Sequence, residues 1–156
     1  MRVSLLADSC TTGWLHWGHG ELWLTPEHLV RIGRRELTLR AAAKGGALGG
    51  AAVAAGVLGL RAVSAAEKAL DEGRLRPGDS VEVENDLWAR EVGRHPQRTL
   101  VLSRELMTEA DLKTGIITSR LNLEMVDGRR HKLLWSVNEH AASLLTEAFG
   151  PRLRRS

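Results

Sequence analysis

The side chains of this 156-residue chain best equipped for chemistry gather near its start. Cys10 is the only cysteine; His16 and His19 follow it, with His28 further on. Neutral imidazoles and a thiolate are ligands that a soft or borderline metal ion accepts, and a thiol beside a histidine can act as a nucleophile. Neither constellation is complete. Two histidines need a third and a fourth ligand, Cys10 is the other obvious donor, and no recognisable Cys–His motif surrounds it. The competing reading packs these histidines with Trp14, Trp17 and Trp23 as a semi-exposed aromatic cluster or a protein-contact patch. The glycine-rich run Gly45 to Gly50 is not followed by Gly-Lys-Ser/Thr and lacks the G-x-G-x-x-G spacing, so it is not a nucleotide loop. The carboxylates are scattered among bases. No catalytic residue, metal or cofactor is therefore expected, and an enzyme or metal protein built on Cys10, His16 and His19 stands as the third-ranked reading.

Two other groups of residues could bind without reacting. Arg31, Arg34, Arg35 and Arg40 flank a pair of expected strands, and a guanidinium fork matches phosphate or carboxylate geometry. They are the candidate contacts to lipid headgroups or acidic partners; the alternative is a solvated strand edge that discourages sheet-to-sheet aggregation. The second group is the Ala- and Gly-rich run from Ala41 to Leu60, whose only charge is Lys44. Small residues recur there four apart, with Gly46, Gly50 and Ala54 on one track and Gly45 and Gly49 on another; Gly56 and Gly59 extend the set. A helix this rich in glycine loses about 1 kcal/mol per Gly relative to Ala. Close backbone approach to another helix or to lipid is the compensation that small residues permit. Helix packing, membrane contact and a mobile connector all remain open for this stretch.

Composition bounds the class. Hydrophobic residues make up 43% and charged residues 26%, which excludes a collagen, a wholly disordered chain and a polytopic membrane protein. The net charge is only +3, with bases interleaved among acids, so no nucleic-acid partner is expected. A lone cysteine allows no intramolecular disulfide and fits a reducing compartment. The apolar run Val3 to Ala7 is too short for a secretory leader, so a cytoplasmic protein is expected, with membrane association as a variant.

The elements that must position these residues follow from periodicity. Residues 1–18 read as an irregular or short-strand lead-in. Residues 20–40 read as a three-stranded meander, Leu22 and Leu24 sharing a face, with Pro26 and Gly33 in the turns. The apolar run continues as an amphipathic helix to Gly73, giving an insertion over 41–73. A short strand at Val81 and Val83, a short helix from Asn85 to Val92 carrying Trp88, and a strand from Thr99 to Ser103 come next. Residues 105–112 are ambiguous between strand and helix. From Ile116 to Val126 the alternation is clean, with Leu121, Leu123 and Met125 on one face; Asp127-Gly128 signals a hairpin, and Leu133, Trp135 and Val137 point inward on the partner strand. Ser136 and Glu139 match a capping box for a final helix with a stripe of Val137, Ala141, Leu144, Leu145 and Ala148, ended by Gly150-Pro151. Residues 151–156 form a basic tail.

The segment Gly20 to Ile32, GELWLTPEHLVRI, resembles the opening hairpin of bacterial PH-like and GRAM-like domains. Ser119 to Trp135, SRLNLEMVDGRRHKLLW, looks like their late strands, and the last helix falls where their barrel-capping helix falls. The resemblance covers roughly 20–40 and 99–149 and carries no signature ligand residues. It implies a single α+β domain over 1–156: an antiparallel PH-like half-barrel with a C-terminal capping helix and an inserted Gly/Ala-rich helical segment. The expected function is a non-enzymatic binding module for a membrane surface or protein partner. In it, the Gly/Ala helix serves lipid contact or self-association, and a homo-oligomer is expected. The alternative is a soluble structural or assembly protein that uses residues 41–72 as an oligomer interface.

Overall fold

A computed structural model describes residues 1–13, 18–33 and 75–156. The Gly/Ala-rich stretch 41–73, Arg34, Arg35 and Arg40, the third strand expected at 36–40, and Trp14, His16 and Trp17 lie outside those residues. The described chain is an α+β structure, mostly sheet. Its strands are β1 (Arg2–Thr12), β2 (Gly18–Leu24), β3 (His28–Ile32), β4 (Ser80–Glu82), β5 (Thr99–Ser103), β6 (Met107–Thr114), β7 (Thr118–Met125), β8 (Arg130–Ser136) and β9 (Leu153–Arg155). Helix α1 (Asn85–Gly93) precedes β5, and α2 (Glu139–Phe149) follows β8. Among the described residues the strands form one open sheet in the order β5-β3-β2-β1-β8-β7-β6-β9, with β4 paired to the start of β1. All neighbours are antiparallel except β6 and β9.

The expected lead-in is instead the longest strand and the centre of the sheet. Its first half lies between β4 and β2, its second half between β8 and β2. Irregularities between Leu5 and Ala7 and between Ala7 and Cys10 break its pairing register. Such irregularities bend a strand and reset which face its side chains point to. Leu5 and Leu6 alternate into cores on opposite faces of the sheet, so both are fully buried, while Ala7, next to the irregularity, joins Leu6 in the same core. That is why the segment shows no period of two.

The inner core lies between the two halves of the bent sheet. Leu6, Leu22, Leu24, Leu29 and Leu102 face Leu112, Leu121, Leu123, Leu133 and Trp135, and α2 adds Ala141, Leu145 and Phe149. The outer core backs β1 to β3 with Val3, Leu5, Trp23, Val30, Ile32, Leu75, Val83 and Trp88. Trp23 is fully buried there rather than part of a semi-exposed patch; it meets Trp88 edge to face at 5.9 Å between ring centres, and its indole N–H donates to Glu21. Between β2 and β3 the backbones crowd at Gly20. A Cβ there would stand 1.9 Å from the Ile32 carbonyl oxygen, so only glycine fits.

Of residues 105–112, ambiguous in sequence, those from Met107 onward belong to strand β6, which runs on to Thr114. Helix α2 is capped by Asn138 rather than by Ser136: Asn138 Oδ1 accepts from the His140 and Ala141 N–H groups. Ser136 still belongs to β8, and Val137 sits half-buried in the connection. The helix ends at Gly150, φ +53°, in the region where glycine is favoured. Arg104 ties this end to the β2–β3 turn. Its guanidinium donates to the carbonyls of Thr25, Pro26 and Ala148 and lies 5.6 Å from the centre of the Phe149 ring. The basic tail is ordered as β9 along β6, with Arg154 bridging to Glu109.

Candidate functional site

The β6–β7 hairpin presents the most exposed large apolar side chains among the described residues. Leu112 pairs with Leu121, Lys113 with Arg120, and Thr114 with Ser119. Leu112, Leu121 and Ser119 are buried, so Lys113 and Arg120 stand on the opposite, outer face. The chain turns at Gly115, whose N–H donates to the Thr118 carbonyl at 3.0 Å. A side chain at Gly115 would meet that carbonyl oxygen at 2.9 Å, which selects glycine. Ile116 and Ile117 form the tip, 99% and 78% exposed. Their backbone is held: the Val137 N–H donates to the Ile117 carbonyl at 2.9 Å, fixing the tip to the connection between β8 and α2.

Single exposed aliphatic residues are ordinary on protein surfaces. Two adjacent ones on a pinned turn are a different matter, because rigid presentation removes the option of folding them away. A second exposed pair, Leu106 and Val126, lies at the other end of the hairpin, joined by a Val126 N–H to Leu106 carbonyl bond. Charge separates the two ends. Beside Val126, Asp127 and Arg129 neutralise each other at 2.6 Å. Along the outer face toward that end, Glu124 pairs with Arg130 and Glu109 with Arg154, both at 3.2 Å. Behind the isoleucine tip, Lys113 and Arg120 face one another across the strands, and among the described residues neither has a carboxylate partner. The Arg120 Nε is buried with no hydrogen-bond acceptor among the described residues. Like charges placed directly opposite on neighbouring strands cost stability.

The residues singled out by sequence fall elsewhere. Arg31 is 8% exposed. It pairs with Leu22 and Leu100 on the inner face of the sheet, and burial holds its guanidinium below the usual arginine range. It lines the wall of the core, so the headgroup contact expected of it is corrected: a desolvated side chain behind paired strands does not meet a surface phosphate. Arg34, Arg35 and Arg40, and Gly45, Gly46, Gly49, Gly50, Ala54, Gly56 and Gly59, are outside the described residues. Cys10 is fully buried; burial pushes its thiol up to about 12, against smaller opposing effects of the Leu134 backbone and Arg31. A thiol kept protonated and out of solvent is neither a nucleophile nor a ready ligand. Among the described residues no group of three or more His, Cys, Asp or Glu side chains is arranged to hold a metal ion. No described helix is long and apolar enough to cross a membrane.

Sequence reasoning missed the tip because Ile117 is in phase with Leu121, Leu123 and Met125, so alternation alone extends the strand through it. The overlooked signal is Gly115 between Thr114 and Ile116, a break that permits the turn. No protein-family model and no curated protein matches this chain.

Proposed function

We propose that this protein is a non-enzymatic binding module that seats on a membrane surface through the β6–β7 hairpin. The observation that carries the reading is the exposure of Ile116 and Ile117 on a backbone that is itself pinned. Burying each of these side chains in the acyl boundary recovers transfer energy that water denies them. The sheet and α2 supply the rigid platform behind the tip. The succession of antiparallel strands and a terminal helix packed on the inner core supports a PH-like kinship, in which a small bent sheet presents its loops to a surface. In the same proposal the Gly/Ala-rich stretch 41–73, read from sequence, gives a second lipid contact or a self-association surface. Vesicle flotation tests the reading: the intact chain is expected to float with phospholipid vesicles, and the variant I116S/I117S to remain largely in solution. Equal flotation of both proteins would refute the hairpin's role, and no flotation of either would leave a protein partner as the occupant of the tip.

A further inference from the structure

We propose that Lys113 and Arg120 form a two-cation clamp for the exposed phosphate of an anionic lipid headgroup. The inference rests on the membrane reading above and adds the chemical class that the site selects.

Three observations converge on it. Lys113 and Arg120 occupy directly opposed positions of an antiparallel pair, so their Cβ atoms lie only about 5 Å apart and both side chains reach one oxyanion between them. Among the described residues no acid forms an ion pair with either cation; farther along the same face Glu124 and Glu109 pair with Arg130 and Arg154, and Asp111 accepts from the Ser156 hydroxyl. The third observation is depth. Lys113 and Arg120 stand three or four residues behind Ile116 and Ile117, at most roughly 10–13 Å at ~3.3 Å per strand residue. Apolar groups of interfacial segments bury about 5–10 Å into the boundary of headgroups and acyl chains. A tip inserted to that depth therefore sets both cations at the level of the phosphates. Arg120 offers a fork of donors and Lys113 a point charge, a combination suited to an accessible phosphate rather than to one shielded by choline.

The test compares vesicles of phosphatidylcholine alone with vesicles of equal parts phosphatidylcholine and phosphatidylglycerol. The intact protein is expected to partition more strongly onto the anionic vesicles, and K113Q/R120Q to lose roughly 30-fold there, while changing little on neutral vesicles. A double variant that keeps the full anionic preference overturns the clamp. K113E gives a second readout that does not depend on loss of function. It places opposite charges on the two strands, so its melting temperature should equal or exceed that of the parent while its anionic preference disappears. A K113E protein that melts higher yet retains the preference also overturns the clamp. Inorganic phosphate added at constant ionic strength separates the two sources of the anion. No competition supports the headgroup, whereas displacement from the vesicles would assign the clamp to free phosphate and overturn the lipid source. I116S/I117S keeps this result distinct from the parent reading: if that variant binds both vesicle types as the intact protein does, the hairpin is not the contact at all.

Discussion

The double substitution I116S/I117S separates surface attachment from folding more cleanly than any other change in this molecule. A fully buried isoleucine side chain is worth about 2 kcal/mol relative to water. The exposures of 99% and 78% mean that nearly all of Ile116 and most of Ile117 is available for burial. Scaling by those fractions gives at most about 3.5 kcal/mol for the pair, or roughly 400-fold in partitioning. An interfacial tip does not reach the hydrocarbon centre, and insertion to half that extent leaves about 1.8 kcal/mol, roughly 20-fold. The expected loss therefore lies between about 20-fold and about 400-fold. Serine retains the size of a turn residue and no apolar area. Neither side chain belongs to a core, so the folded state should change by no more than about 0.5 kcal/mol. The assay is vesicle co-sedimentation over a lipid titration, run beside thermal denaturation of both proteins. An unchanged partition coefficient would refute the argument, and so would a variant whose lost binding is accompanied by a large fall in melting temperature, since the tip would then be a structural element.

Three further outcomes follow from the core and its titrating groups. Gly20→Ala places a methyl group against the Ile32 carbonyl and forces β2 from β3; a loss of about 3 kcal/mol or more is expected by denaturant titration, and an unchanged midpoint would contradict the close approach. The Cys10 thiol should resist aromatic disulfide reagents in the native protein and react fully in denaturant. Because its folded value is raised to about 12 from 9.0, its contribution to stability is complete below about pH 9 and lost as pH rises above it, so native labelling at the rate of a free thiol would sink this reading. His131 sits on β8 in phase with Leu133 and Trp135, its Nε2 buried without a hydrogen-bond partner among the described residues; burial first, then Arg129, holds its value below the usual histidine range. A neutral imidazole is favoured in the fold, so its contribution is intact above about pH 6.5 and declines as pH falls. His131→Gln should flatten that part of the stability profile, and a parallel profile for variant and parent would remove His131 as the cause.

How far the fold could be read from sequence depended on whether one strand face stayed in phase. The β7–β8 hairpin was legible because Leu121, Leu123 and Met125 alternate without interruption and Asp127-Gly128 supplies a residue with φ +80° at the turn. The α2 stripe was legible for the same reason at helical period. The central strand was not, because both of its faces are buried and the irregular pairing between Leu5 and Cys10 puts adjacent Leu6 and Ala7 in the same core, so no polar residues alternate with apolar ones. Helix capping was misassigned by two residues because Ser136 and Asn138 are both able to accept from a first turn, and only the length of β8 decides between them. The candidate site was the least legible part. Arg31 has the chemistry of a phosphate contact but the position of a core residue, whereas Ile116 and Ile117 have the chemistry of core residues and the position of a contact.

The sequence by itself determined the class of this protein: α+β, with alternating strands and one strongly amphipathic terminal helix, because side-chain period is a local property that neighbouring residues enforce. Tertiary structure alone decided which apolar residues are buried and which charges remain unneutralised. Burial and pairing depend on residues far apart in the chain: β1 on β8, β6 on β9, and the Ile117 carbonyl on the Val137 amide. No pattern within a single segment encodes those meetings, and they are what leave two isoleucines and two facing cations at one end of the β6–β7 hairpin.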